Sequence, residues 1–484
     1  MNIYFSDYFN VDKDTIKNYG AFDISLVADL PLFVDPFLLF NSTNKKYQQL
    51  HKDIIEYLSF LRDKSVGGKV NEGLLRSWYT FKEVKQNWFG FSVNGSSGSG
   101  LGMKFARALD ENLNTIFDSF GEENITEDSH LEKLCLINVG VGKDNISDFT
   151  TNLIKEFLLE FTQEFAQKHI DESLLKEFRV EKVKFNYETE TWMSKTFKLP
   201  CFKNDYVILT PTDLLTKDDT FISSIDMYNK IETIIDSIEN VALRGQINNY
   251  LRKTLEEDMK KSERKKVYQD LVKDLPEIID YYINYKESEK NEATSISNAK
   301  VEFSNNLYVN KYKELIELLV SKTNFFKIKP NSFEEALSRV QFLKNVIEDM
   351  DGYRIFYVDG EPIKREQDFQ ILYKLTWFTS ESDINSEVNN GRGPVDFKAS
   401  KGSADKTLVE FKLAKNTQLK RNLKNQVEVY KKANRDAKTI KVILYFTDKE
   451  LEKVNRILNE LDIAGEEAII LIDARKDKKS ASEV

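Results

Sequence analysis

Asp396, Glu410 and Lys412 are the residues whose types and spacing can do chemistry together. They fall in PVDFKAS and KTLVEFKLA, two apolar-patterned segments joined by a polar Gly/Ser turn. Both read as strands, because β-forming residues cluster there between turn residues. Residues two apart in a strand share a face, so Glu410 and Lys412 project together while Val409, Phe411 and Leu413 face a hydrophobic layer. With PVDF paired alongside, Asp396 projects to the side of Glu410. Carboxylates gathered in this way repel unless positive charge lies between them, and a hard divalent cation is the usual solution. Mg²⁺ (or Mn²⁺) held by Asp396 and Glu410 polarises a phosphoryl oxygen and lowers the pKa of bound water. Lys412 then orients that water or stabilises charge building on the phosphate. This is the grammar of metal-assisted phosphodiester hydrolysis.

The flanking chain supplies elements to position these groups. REQDFQILYKLTWF (365–378) reads as a helix and SDINSEVNN as a candidate strand before the GRG turn. After KTLVEFKLA, an amphipathic helix carries Leu419, Leu423, Gln426, Val427 and Tyr430 down one side. TIKVILYFT reads as a buried strand, KELEKVNRILNEL as a helix and EAIILIDA as a last strand. Between Lys412 and Lys441 lie ten Lys or Arg against Glu428 and Asp436. Lys415, Lys420, Arg421 and Lys424 in this run are candidate nucleic-acid contacts, with a solvated helix face as the alternative. Glu387 is either a further metal ligand reaching in from the preceding strand or a solvated strand-end residue. Arg392, between two glycines, is either a phosphate contact or a plain turn arginine.

The order Asp396, thirteen residues, Glu410, one residue, Lys412 resembles the PD-(D/E)XK nuclease superfamily. Gln426 and Tyr430 match the Q-x-x-x-Y signature of its RecB-like branch, and as i and i+4 they lie one above the other on a helix. Val395 precedes Asp396, with Pro394 one place earlier. The resemblance covers roughly residues 350–475 and implies a restriction-endonuclease-like α-β-β-β-α-β core. It implies Asp396 and Glu410 as metal ligands, Lys412 as catalytic lysine, and Gln426 and Tyr430 as accessory catalytic residues. The implied activity is that of an endonuclease, on DNA more readily than RNA. Bacterial anti-phage defence or restriction follows only by analogy at the level of fold. Acid-x-Lys alone carries little, since Glu83-Val84-Lys85 and Asp258-Met259-Lys260 satisfy it too. The competing expectations are a catalytically silent nucleic-acid-binding or regulatory protein, and an effector nuclease activated by a nucleotide or phage ligand.

Composition sets the frame. With 484 residues, 41% hydrophobic and 31% charged, 33 Phe and 21 Tyr, the chain is long and apolar enough for several folded domains. Eight Pro and 19 Gly favour helices over loop-rich β architecture. Cys135 and Cys201 make no disulfide framework, and His51, His130 and His169 lack the spacing of a zinc site. The acidic N-terminus has no leader pattern, and the longest apolar run, residues 28–40, is too short for a bilayer. A cytoplasmic protein without membrane contact is expected. Net charge of −9 excludes a surface basic throughout but not a local basic patch.

The fold class expected is α/β within an α+β whole. Residues 1–245 form a mixed α/β recognition or regulatory domain, 246–350 a helical linker or assembly region, and 351–484 the nuclease domain. The charged stretch 246–300 reads as a long helical stretch with much exposed surface, open to pairing in a homo-oligomer. Residues 148–168 read as one helix capped by Ser147, and 94–102 as a flexible loop.

Overall fold

Helices that bury one apolar stripe need a sheet or another helix to cover it, and the chain meets that need in two ways. The computed structural model describes residues 3–90, 101–118, 120–136, 143–217, 220–255, 259–322, 331–358, 360–377, 383–389, 394–401, 405–424 and 437–476. The fold is mixed α/β, α+β overall. No helix among these residues is long and apolar enough to cross a membrane.

In the N-terminal part, α1 (Lys45–Val66) is capped by Asn44, whose carboxamide oxygen accepts from the Lys46 N–H at 2.9 Å. Ile54, Tyr57, Leu58 and Leu61 recur at helical spacing and are its buried stripe. The expected helix at 148–168 is two helices, Lys143–Leu153 and α2 (Lys155–His169), broken at Ile154. Ser147 therefore lies inside the first helix and caps nothing; its Oγ instead accepts from the Val34 N–H at 2.9 Å. β1 (Leu175–Asn186) and β2 (Thr191–Phe202) form an antiparallel hairpin. Among the described residues, the stretch expected to be helical holds four successive helices, Val241–Thr254, Lys261–Asp274, Glu277–Ser288 and Lys290–Ser304. Pro276, which cannot sit inside a helix without removing a hydrogen bond, marks one of the breaks.

The C-terminal part holds a five-stranded mixed sheet preceded by α3 (Ser332–Asp349) and α4 (Glu366–Leu375). Its strands are β3 (Asp383–Asn389), β4 (Pro394–Lys401), β5 (Asp405–Leu413), β6 (Ala437–Tyr445) and, after α5 (Asp448–Glu460), β7 (Ile469–Asp473). Spatial order is β7-β6-β5-β4-β3, with β3, β4 and β5 antiparallel and β5, β6 and β7 parallel. The sequence order expected of the core, helix and three-strand meander leading to strand, helix and strand, is present. Only 419–424 of the intervening helix fall among the described residues.

The two faces of β5 have different coverings. Phe411 points to the α4 side, where its ring centroid lies 4.9 Å from Phe369, 4.8 Å from Tyr373 and 5.8 Å from Phe397. On the opposite side Ala414, Leu419, Leu423, Ile443, Val454 and Leu458 form a second core under α5. Helix α3 is tied to the sheet at both ends. The Ser332 N–H donates to Asp405 at 2.8 Å, and Lys344 and Glu348 bond the backbone of Leu471 and Asp473, each at 2.7 Å.

Because Phe411 joins strand to helix at the level of the candidate site, Phe411→Ala is expected to cost about 3–5 kcal/mol of stability. Urea unfolding followed by far-ultraviolet circular dichroism would measure it.

Candidate active site

Strands β4 and β5 pair as far as Val409 opposite Phe397. The next step of that register sets Asp396 level with Glu410, and backbone pairing gives way to a side chain: the Phe411 N–H donates to Asp396 Oδ2 at 2.6 Å. On the other flank of β4, Ser386 pairs with Phe397 and Val388 with Val395, so the backbone of Glu387 is in register with Asp396. On the far flank of β5, Glu410 pairs with Lys441 of β6. Four charged residues, Glu387, Asp396, Glu410 and Lys441, thus occupy one row across four adjacent strands.

Lys412 lies at the centre of the cluster. Its Nζ is 3.5 Å from Asp396 Oδ2, 3.5 Å from Glu366 Oε2, and donates to the Phe411 carbonyl at 2.9 Å. Burial alone would lower the pKa of this ammonium, but Asp396, Glu366 and Glu410 outweigh it and hold the pKa above its ordinary value. Burial pushes the Asp396 carboxyl up, the Lys412 charge and the Phe411 N–H pull it down, Glu366 opposes them, and the net direction is upward. Glu410 is 2% exposed and Lys441 8%. Burial lowers the Lys441 pKa against the pull of Glu410 and Glu466.

Glu366 escaped the sequence reading. It sits in the first turn of α4, where a carboxylate suits the positive end of the helix. Its Oε1 accepts from the Leu413 N–H at 3.2 Å and from the Asn416 amide at 2.9 Å, fastening the helix to the end of β5. The available signal was an acid at the start of the helix just upstream of the strand motif. Helix α4 is itself anchored from outside the C-terminal part. Asp368 accepts from the Tyr308 hydroxyl at 2.5 Å and lies 4.0 Å from Lys217, while the Tyr312 hydroxyl donates to the Asp368 carbonyl.

The proposed nucleic-acid contacts divide. Lys415 donates to the Ile363 carbonyl at 2.8 Å, and Lys420 pairs with Glu460 at 2.6 Å. Arg421 and Lys424 are exposed. Arg392, Gln426 and Tyr430 lie outside the described residues, as does the side chain of Glu387. Most of the 94–102 loop is outside them as well.

Does this set suit a metal ion? Among the described residues no three His, Cys, Asp or Glu side chains stand close enough to form a metal-binding group. The donor chemistry is nevertheless that of a hard divalent cation: Asp396 and Glu366 oxygens each lie 3.5 Å from the Lys412 ammonium, and Glu410 adds a third negative charge on the same strand face.

Glu366→Ala would strip the acceptor from the Leu413 N–H and the Asn416 amide. A loss of about 1–3 kcal/mol is expected, measured by urea unfolding, with Glu366→Gln retaining most of the stability because it keeps an acceptor.

Two family models match the chain. Residues 10–223 match one described as a domain of unknown function (DUF8370), and residues 332–448 one described as a domain of unknown function (DUF8371). No curated protein and no solved structure matches it.

Proposed function

We propose that this protein is a metal-dependent nuclease that hydrolyses phosphodiester bonds, with DNA as the substrate. The observation that carries this reading is the pairing of both Asp396 and Glu366 with the Lys412 ammonium, with Glu410 in its field, at the point where β4 and β5 part. A merely structural ion pair needs one carboxylate, whereas two on one lysine with a third negative charge in its field suit a site built for additional positive charge. The order of the core around the site agrees with the PD-(D/E)XK resemblance.

Asp396 and Glu410 would hold Mg²⁺ or Mn²⁺, with Glu387 as a further ligand. When bound, the ion supplies Lewis acidity to a phosphoryl oxygen and to a water molecule. The protein's own groups do the rest. Lys412, held charged by its carboxylate neighbours, stabilises negative charge on the phosphate as the bond breaks. Glu366 keeps that ammonium near β5 through its grip on Leu413 and Asn416. Arg421 and Lys424, exposed on the following helix, would steer the polynucleotide backbone, with Gln426 and Tyr430 as accessory residues.

The burial of Glu410, at 2% exposure, favours an effector nuclease whose site opens on activation over one that is always open. A cytoplasmic role in anti-phage defence or restriction is consistent with this reading, as is a homo-oligomer that brings two centres to one duplex.

The test is cleavage of plasmid and single-stranded DNA with Mg²⁺. Asp396→Asn, Glu410→Gln and Lys412→Ala are each expected to lower the rate by about 10²-fold or more, and chelation to abolish it with recovery on adding Mn²⁺. Unchanged cleavage by all three variants would reject the assignment.

A further inference from the structure

A second feature lies away from the nuclease cluster. A cleft of about 290 Å³ opens between residues 85–88 and the turn after β2, lined by Asp29, Lys85, Trp88, Phe202, Lys203 and Tyr206 among others. Its walls are aromatic: Trp88 and Phe202 meet edge to face with centroids 6.0 Å apart, and both rings are half-buried. Trp88 holds a left-handed backbone, φ 57°, after a short turn at Lys85–Asn87. A bulky residue rarely adopts that conformation, and such strain gathers at binding and catalytic sites. Lys203 and Asn204 are both left-handed as well, φ 48° and 66°, as a tight two-residue hairpin turn demands. That turn brings Lys203, which is exposed like Lys85, to the mouth.

Asp29 is half-buried at this cleft, and no hydrogen bond or ion pair from the described residues reaches its carboxylate. A half-buried carboxylate facing a cleft can accept from a ligand that brings N–H donors, and such charge-assisted hydrogen bonds are strong. The donors must come on a flat body that aromatic walls can hold, with negative charge at the other end for Lys85 and Lys203. An organic ammonium would satisfy Asp29 and the rings, but the two mouth lysines repel it. Guanine meets every condition, since its N1–H and N2–H lie side by side and match both oxygens of one carboxylate. Adenine and cytosine present a donor beside an acceptor.

We infer that this cleft binds a guanine nucleotide, its N–H edge on Asp29, its ring against Trp88 and Phe202, and its phosphate towards Lys85 and Lys203. Burial pushes the Asp29 carboxyl up to about 7, with Lys374 pulling it down and Glu83 pushing it further up. The other charges that face it are Lys85 beside Trp88 and Lys203 and Asp205 of the hairpin. The ionised carboxylate is the form that accepts both N–H groups, so affinity rises as pH increases through that value.

Isothermal titration calorimetry on the full-length protein tests this with GMP, AMP, inorganic phosphate and tetramethylammonium. GMP is expected to bind saturably, at least about tenfold tighter than AMP, and to tighten between about pH 6 and about pH 8. Asp29→Asn should weaken GMP about tenfold or more and flatten the pH dependence, because the carboxamide offers one acceptor and does not ionise. Lys203→Ala, an exposed change that leaves the core intact, should weaken GMP several-fold, more so at low salt. No saturable GMP binding, equal binding of AMP or phosphate, binding of tetramethylammonium instead, or unaltered GMP affinity in both variants would each overturn the inference. Binding is read without cleavage, so this result stands apart from the nuclease reading.

Discussion

Everything in the C-terminal part is arranged about one electrostatic constraint, the half-buried ammonium of Lys412 among carboxylates from three separate elements. Removing charges from water is expensive, and like charges near one another are more so. The fold offsets that cost locally. Asp396 takes a backbone N–H, Glu366 takes an N–H and an amide, and Lys412 gives one hydrogen to a backbone carbonyl. Every one of these partners belongs to β5 or the turn after it. The strand that carries Glu410 and Lys412 also supplies the hydrogen bonds that make the charge cluster tolerable.

The same strand also carries aromatic packing. Phe411, between Glu410 and Lys412, drives into the aromatic group formed with Phe369, Tyr373 and Phe397. Alternation thus splits one short segment into a rigid apolar half and a charged half, and the first fixes the second. Under the proposed function such a support matters, because small displacements of reacting groups are costly to rate.

How much of this was legible beforehand depended on the range over which each signal acts. The strands at 405–413 and 437–445 and the helix at 366–375 were readable because period and composition are local. So was the pairing of Asp396 with Glu410 in register, because a short polar turn leaves the two strands few other ways to align. Glu366 was not readable as part of the cluster. Its place depends on how closely a helix start approaches Leu413 and Asn416, 47 and 50 residues further along the chain. The helix break at Ile154 was hidden by an apolar period that continues through it, from Phe149 and Leu153 to Phe157. Asp29 gave no sign in sequence, since its environment is assembled from Trp88, Phe202 and Lys374.

The anchoring of Asp368 bears on how the molecule can be divided. Helix α4 delivers Glu366 to the cluster, yet the helix is held by Tyr308 and Tyr312 from the middle of the chain and by Lys217 from the N-terminal part. Its far end carries Lys374, buried and within the field of Asp29. The strands of the candidate site are therefore not a portable cassette: a fragment beginning near residue 351 would keep the motif and lose the scaffolding that aims its fourth charge.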